Sequence, residues 1–265
     1  MTFIRRYELD SSAPTRSGVW RDVARRALLP GLFLWLGLMG VGFLIVGPLG
    51  GLPAEAGINE ALAAARTPFL NTATATVSLI GSTEFVIGLC ALVIGLVWWR
   101  TKEWWYALVP GLAVALQAVV FMSAAAIVGR ERPEAEHLDA APPTSSFPSG
   151  HTGAAAAVYF TFAMMAQRIA NPWLRWLVTI VCLAMPFAMG FSRLYRGMHS
   201  FTDVLFGFLN GVACAWLAWR YLRRDVEASF TDVLFGFLNG VACAWLAWRY
   251  LRRDVEAGAR RLTAN

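Results

Sequence analysis

Residues 28–49 read LLPGLFLWLGLMGVGFLIVGPL, twenty-two positions without an ionisable side chain. A helix needs about 20 apolar residues to cross the hydrocarbon core of a bilayer. The small-x-small triplet Ala54-Glu55-Ala56 stands behind the run like a cleavage site, but a signal core has only about 7–15 apolar residues. The run therefore reads as a retained first helix. Four more stretches are long enough to span: 76–99, 104–128, 173–191 and 204–222. A sixth, 152–168, is shorter and rich in alanine, and Tyr159, Phe160, Phe162, Met164 and Met165 keep it apolar. The whole chain agrees. Of its 265 residues 57% are hydrophobic and 15% charged, against about 25% charged in soluble domains. The expected fold class is all-α, a polytopic membrane helix bundle with a six-helix core.

The net charge of +6 does not point to nucleic acid, because the basic residues fall in short clusters between apolar runs. Arg5, Arg6, Arg16, Arg21, Arg25 and Arg26 precede the first span. Arg100 and Lys102 separate the second and third, Arg168 and Arg175 the fourth and fifth, and Arg220, Arg223 and Arg224 follow the sixth. With six spans all these sites share one side, which the positive-inside rule makes cytoplasmic. Loops 50–75, 129–150 and 192–203 then face outward, in a multi-pass protein of the cell membrane. Trp98, Trp99, Trp104 and Trp105 bracket the inner turn as an interfacial aromatic belt. Cys90, Cys182, Cys214 and Cys243 lie inside apolar runs, with neither a Cys-x-x-Cys pair nor metal spacing.

Residues 200–228, SFTDVLFGFLNGVACAWLAWRYLRRDVEA, are repeated without change at 229–257. Repeat arrays that work as such diverge and run to at least about three copies, so this single flawless copy reads equally as a recent duplication, an engineered insertion or a sequence error. The copy contains a span-length run, 233–251, and so a possible seventh span. The expected organisation is a cytoplasmic segment 1–27, a transmembrane domain 28–228, the identical copy 229–257 and a tail 258–265.

The chemistry is concentrated in the outward loops. Two of the three histidines stand there among arginines and glycines, in Arg130-Glu131-Arg132-Pro133, in Pro148-Ser149-Gly150-His151, and in Ser192-Arg193 followed by His199 and Asp203. Arg132 and Arg193 offer planar cationic forks that match phosphate oxygens. Ser149 and Gly150 open a helix whose free N–H groups form an anion site. His199 and Asp203, four apart, share one face of a helix, so the carboxylate can hold one ring nitrogen and leave the other for the pocket. Two histidines around such an anion site suit phosphoryl transfer through a phosphohistidine. Among the other outward residues, His137 and Arg196 read as solvated loop positions. Glu84, inside the expected second span, reads equally as a functional group or as a polar side chain reaching a neighbour.

These motifs resemble those of the type 2 phosphatidic acid phosphatase superfamily, the PAP2 lipid phosphatases, over roughly 76–222. That family places a lysine seven positions before an Arg-Pro pair, then Pro-Ser-Gly-His, then Ser-Arg followed by a histidine and an aspartate. The second and third motifs are complete here; the first keeps Arg132 and Pro133, but its lysine position is Ala125. The resemblance implies His199 as nucleophile, Asp203 as its orienter and His151 as general acid. It implies Arg132, Arg193, Ser149 and Gly150 as phosphate ligands, with Arg130 nearby as a substitute charge. The implied reaction is metal-independent and cofactor-free release of phosphate from a phosphorylated membrane lipid or isoprenyl pyrophosphate at the outer face. A lipid phosphotransferase is a variant of it. The alternative is a protein that binds or transports a lipid phosphate without hydrolysis, with Ala125 as the mark of the lost step. A vanadate-dependent oxidative role ranks below both. The second copy has Asp232 but Ala228 in the histidine position, so it is no second site. The oligomeric state is left open.

Overall fold

The computed structural model describes residues 14–141 and 144–221; the second copy 229–257 and the expected seventh span lie outside the described residues. α1 (Arg16–Val23) continues through a π-helical turn, Ala24–Leu28, into α2 (Leu29–Val46). A short 3-10 turn, Pro53–Glu55, leads to α3 (Ala56–Ala64), α4 (Pro68–Ile80) and α5 (Thr83–Thr101). There follow α6 (Trp104–Ala107), α7 (Val109–Val128), α8 (Gly150–Ala166), α9 (Pro172–Tyr195) and α10 (Phe201–Arg220). The described part is an all-α, multi-span membrane bundle. Five of its helical stretches are long and apolar enough to cross a bilayer: Arg16–Val46, Thr83–Thr101, Trp104–Val128, Pro172–Tyr195 and Phe201–Arg220.

The sixth expected span is α8, and its 17 residues fall short for a physical reason. It packs against α10, α9 and α7, so protein rather than lipid surrounds it. Ala155, Ala156, Ala157 and Val158 are fully buried. Helices in a bilayer associate through close packing of small residues, since lipid is as apolar as their side chains. Gly207 and Gly211 provide this on α10. A Cβ on either would collide with a carbonyl oxygen of the α8 region, Ser149 O and Gly153 O respectively. Outward faces are apolar and open, with Leu36, Phe43, Leu92, Val119, Ile180 and Phe187 exposed as lipid-facing side chains would be.

Two expected spans change. The expected span 76–99 is broken at Gly81, so 76–80 belong to α4 and α5 begins at Thr83. The break is where the Met189 side chain of α9 packs against Gly81, and Ser82 caps the new helix by accepting from Phe85 N–H at 3.3 Å. Glu84 is therefore an exposed residue in the first turn of α5, suited to the positive helix end, and not a mid-span carboxylate. α9 runs to Tyr195, past the expected end at 191. Ser192 and Arg193 are thus buried helical residues, not loop residues. Pro186 lies within α9, where it removes one backbone hydrogen bond.

The ends of α2, α7 and α9 and the starts of α5, α8 and α10 meet at one end of the bundle. Arg130, just after α7, donates to Gly51 O beyond α2 at 2.7 Å. Ser149 N–H, at the start of α8, donates to Asp203 O in α10 at 2.9 Å. At the opposite end Arg168 pairs with Glu103 at 2.8 Å and lies over the Tyr106 ring.

Candidate active site

His199 and Asp203 flank the start of α10, and the sequence sets this locally. Ser200 with Asp203 three residues on is a reciprocal cap: Asp203 Oδ2 accepts from Ser200 N–H at 2.8 Å, and the Ser200 side chain caps in return. Oδ1 of Asp203 accepts from Arg130 Nη1 at 2.6 Å. Both partners are buried, and an unpaired charge there would cost about 3–5 kcal/mol.

His199 Nδ1 lies 2.8 Å from the Ser146 carbonyl oxygen. A carbonyl can only accept, so Nδ1 carries the proton and Nε2 keeps its lone pair. Asp203 Oδ2 is 3.8 Å from Nδ1, within ion-pair reach but beyond a hydrogen bond. The carboxylate was expected to hold the ring. The reciprocal cap and Arg130 engage its oxygens, and Ser146 takes that place. Ser146 is itself fixed, its N–H donating to Arg130 O at 2.9 Å and its hydroxyl to Glu131 O at 2.8 Å. Burial holds His199 below the ordinary imidazole value, while Asp203 pulls the other way.

The start of α8 presents the second motif. The N–H groups of its first turn have no helical acceptor. Ser149 N–H is given to Asp203 O, and Ser149 Oγ shares a hydrogen bond with Thr152 Oγ1 at 3.0 Å. The N–H groups of Gly150 and His151 follow it in that turn. A Cβ on Gly150 would press on the Phe121 ring of α7, so glycine there serves packing as well as access. His151 is within electrostatic reach of Arg193, His199, Asp139 and Arg132.

The arginines divide. Arg132 donates Nη1 to Met198 O at 2.8 Å, and Arg193 donates Nη1 to Asp139 Oδ2 at 3.0 Å and to Ser78 Oγ. Each keeps a buried Nε–H without a hydrogen-bond partner among the described residues. Arg130 differs, because Thr202 Oγ1, Asp203, Gly51 O and Glu55 engage both of its Nη nitrogens. Its expected place as a phosphate ligand gives way to that of a brace behind Asp203. Arg196 is 6% exposed and so not solvated; it binds Asp139 at 2.5 and 2.8 Å and Leu138 O at 3.0 Å. His137 keeps to its own loop, with Nε2 2.9 Å from Pro133 O.

Sequence reasoning missed Asp139, Glu55, Ser78 and Ser146. Asp139 joins Arg193 to Arg196, and despite its burial those guanidinium groups hold its carboxyl below the usual range. The available signal for it was general: two buried arginines require a carboxylate. Ala125, in the lysine position, is buried in α7. Among the described residues no group of three or more His, Cys, Asp or Glu side chains is placed to hold a metal ion.

The family model described as the PAP2 superfamily matches residues 102–227. Phosphatidylglycerophosphatase B of Bacillus subtilis is 29% identical over 162 residues, covering 60% of this chain and 78% of that protein. The crystal structure of a transmembrane PAP2-type phosphatidylglycerolphosphate phosphatase from Bacillus subtilis superposes with a TM-score of 0.64 at 25% identity, over 74% of this chain and 98% of that one. Aquifex aeolicus LpxE shares the fold at a TM-score of 0.50 and 22% identity, over 60% of this chain and 91% of its own.

Proposed function

We propose, from the premise that this chain belongs to the PAP2 superfamily, that it is a membrane phosphatase acting on a phosphorylated lipid through a phosphohistidine. The carrying observation is the state of His199. Its Nδ1–H is tied to Ser146 O, so Nε2 is left as nucleophile, beside two arginines whose buried Nε–H groups lack a protein acceptor. An anionic phosphoryl group supplies the acceptor those donors need.

In this reading Nε2 attacks phosphorus, a P–N bond forms and the P–O bond to the lipid breaks. His151, which burial and then Arg193 keep neutral in the free site, takes a proton from the entering phosphate monoester and gives it to the departing oxygen. The cation formed on His199 faces the Asp203 carboxylate. Water then attacks the phosphohistidine, His151 takes its proton, and the P–N bond breaks to release phosphate. Arg132, Arg193 and the N–H groups of Gly150 and His151 hold the phosphoryl oxygens, with Ser149 fixing the turn that presents them. Arg130 positions Asp203. The similarity to a phosphatidylglycerophosphatase favours a phosphorylated glycerolipid over an isoprenyl pyrophosphate.

The site faces outward in this reading, since Arg21, Arg25, Arg100 and Lys102 are exposed at the other end. A cysteine at the exposed Ala140 position then reacts with an impermeant reagent from outside; reaction only from the cytoplasm reverses the orientation. The test of chemistry is phosphate release by the purified full chain from a panel of lipid phosphates. Turnover that persists in EDTA and is blocked by vanadate supports the reading. Loss in EDTA with recovery in magnesium overturns it.

A further inference from the structure

We infer that Glu55 is a positioning residue for the nucleophilic histidine: it shares Arg130 with Asp203 and so leaves a net negative charge to face His199. The inference rests on the function proposed above and extends it to a segment that no motif includes. Residues 53–55 precede the 102–227 stretch matched by the family model.

Oε2 of Glu55 receives Thr202 N–H at 3.2 Å, Thr202 Oγ1–H at 3.0 Å and Arg130 Nη2 at 3.4 Å. The carboxylate therefore meets the first turn of α10 from outside, while Asp203 holds it from within. Arg130 lies between them, with Nη1 on Asp203 at 2.6 Å and Nη2 towards Glu55. The chain leading to Glu55 adopts a costly conformation to arrive there. Leu52 has φ 62°, a left-handed value rare for a branched, bulky residue. Strain of this kind persists where surrounding contacts enforce it, and it concentrates at functional sites. The turn also delivers Gly51 O to Arg130 at 2.7 Å.

The charges give the placement its meaning. Arg130 and Asp203 alone sum to zero. With Glu55 the trio carries one net negative charge. Attack at phosphorus makes His199 a cation, in a pocket where Arg132, Arg193 and the neighbouring His151 oppose positive charge and only the Asp203 side favours it; Asp139 is taken up by Arg193 and Arg196. Burial raises Glu55 above the ordinary carboxylate value, with Arg130 and Thr202 pulling against it. Its charge is therefore lost earlier on acidification than that of an ordinary glutamate.

The experiment uses the purified full chain in detergent, labelled with nitrogen-15 at histidine. Three histidines make the ring signals few, and His137→Gln and His151→Gln variants assign them. Glu55→Gln keeps an oxygen for Thr202 and removes the charge. Glu55→Asp keeps the charge at shorter reach. We expect Glu55→Gln to lower the His199 ring titration by about 0.5–1 pH unit. We also expect kcat to fall about five- to tenfold with KM within about twofold, and Glu55→Asp to recover part of both. An unmoved His199 in Glu55→Gln, or one that stays neutral down to about pH 4 in both proteins, overturns the inference. If the parent chain releases no phosphate from any lipid, the functional reading fails, while the titration still decides the charge coupling.

Discussion

Arg193 and Arg196 are 3% and 6% exposed at one end of the bundle, whereas Arg21, Arg25 and Arg100 stand exposed at the other. At the buried end each guanidinium meets groups from distant parts of the chain: Asp139 for Arg193 and Arg196, Asp203 and Glu55 for Arg130. At the other end Arg26 meets Asp22 at 3.5 Å one turn away, and the long-range ion pair there is Arg168 with Glu103 at 2.8 Å. A charge in water needs no partner and is worth little to stability. A charge taken out of water requires one. Counting basic residues by loop therefore applies to the solvated set; of the buried arginines, Arg130, Arg193 and Arg196 gather at the site end and Arg220 lies at the other.

The sharpest test of this division is His199→Gln. Removing the proposed nucleophile should lower phosphate release by roughly 10³-fold or more, with thermal stability nearly kept; an active variant would deny the site end its chemistry. Next comes Asp139→Asn, which takes one carboxylate from two buried arginines. We expect kcat/KM to fall about 10- to 30-fold and an impermeant probe to reach loop 129–149 more readily. The pH behaviour follows from the depressed value of Asp139. Its stabilising link is complete above the ordinary carboxylate range and is lost as pH falls through that lowered value. The melting temperature of the parent should thus lose this contribution only below about pH 4, and Asp139→Asn should lack that step.

Ala125→Lys asks whether the buried end can take one more cation. A lysine on this last stretch of α7 can extend its ammonium toward the helix end, and a charge-assisted contact to phosphate is worth about 1–3 kcal/mol. An increase in kcat/KM of about tenfold is expected; no gain in a folded variant would show that Arg132 and Arg193 already suffice. Smallest is the effect of Arg100→Gln with Lys102→Gln. Both side chains are exposed, so turnover should stay within about twofold. A large loss would erase the contrast between the two ends.

The bundle was legible because lipid-spanning helices announce themselves by length and apolarity, and five of the six expected spans are helical stretches of the required kind. The exception, α8, is short because its neighbours replace lipid. Gly81 was not legible as a break, since what makes it one is the Met189 side chain from a helix more than a hundred residues away. His199, His151, Arg132 and Arg193 stood out through motif spacing, and the structure gathers them at one end. Glu55 and Asp139 did not, because a lone acidic residue in a loop looks solvated until its partner's burial is known. The Ser146 contact was invisible for a simpler reason: a main-chain oxygen has no letter in a sequence.

That last contact has a genetic consequence. The atom that receives the His199 proton belongs to the backbone, so every amino acid at position 146 supplies it. A substitution scan at this buried position would report the lost hydroxyl contact to Glu131 O and not the carbonyl itself. Insertions or deletions between Arg130 and Phe147, which slide the carbonyl out of register while leaving every motif letter intact, are the lesions that would reveal it.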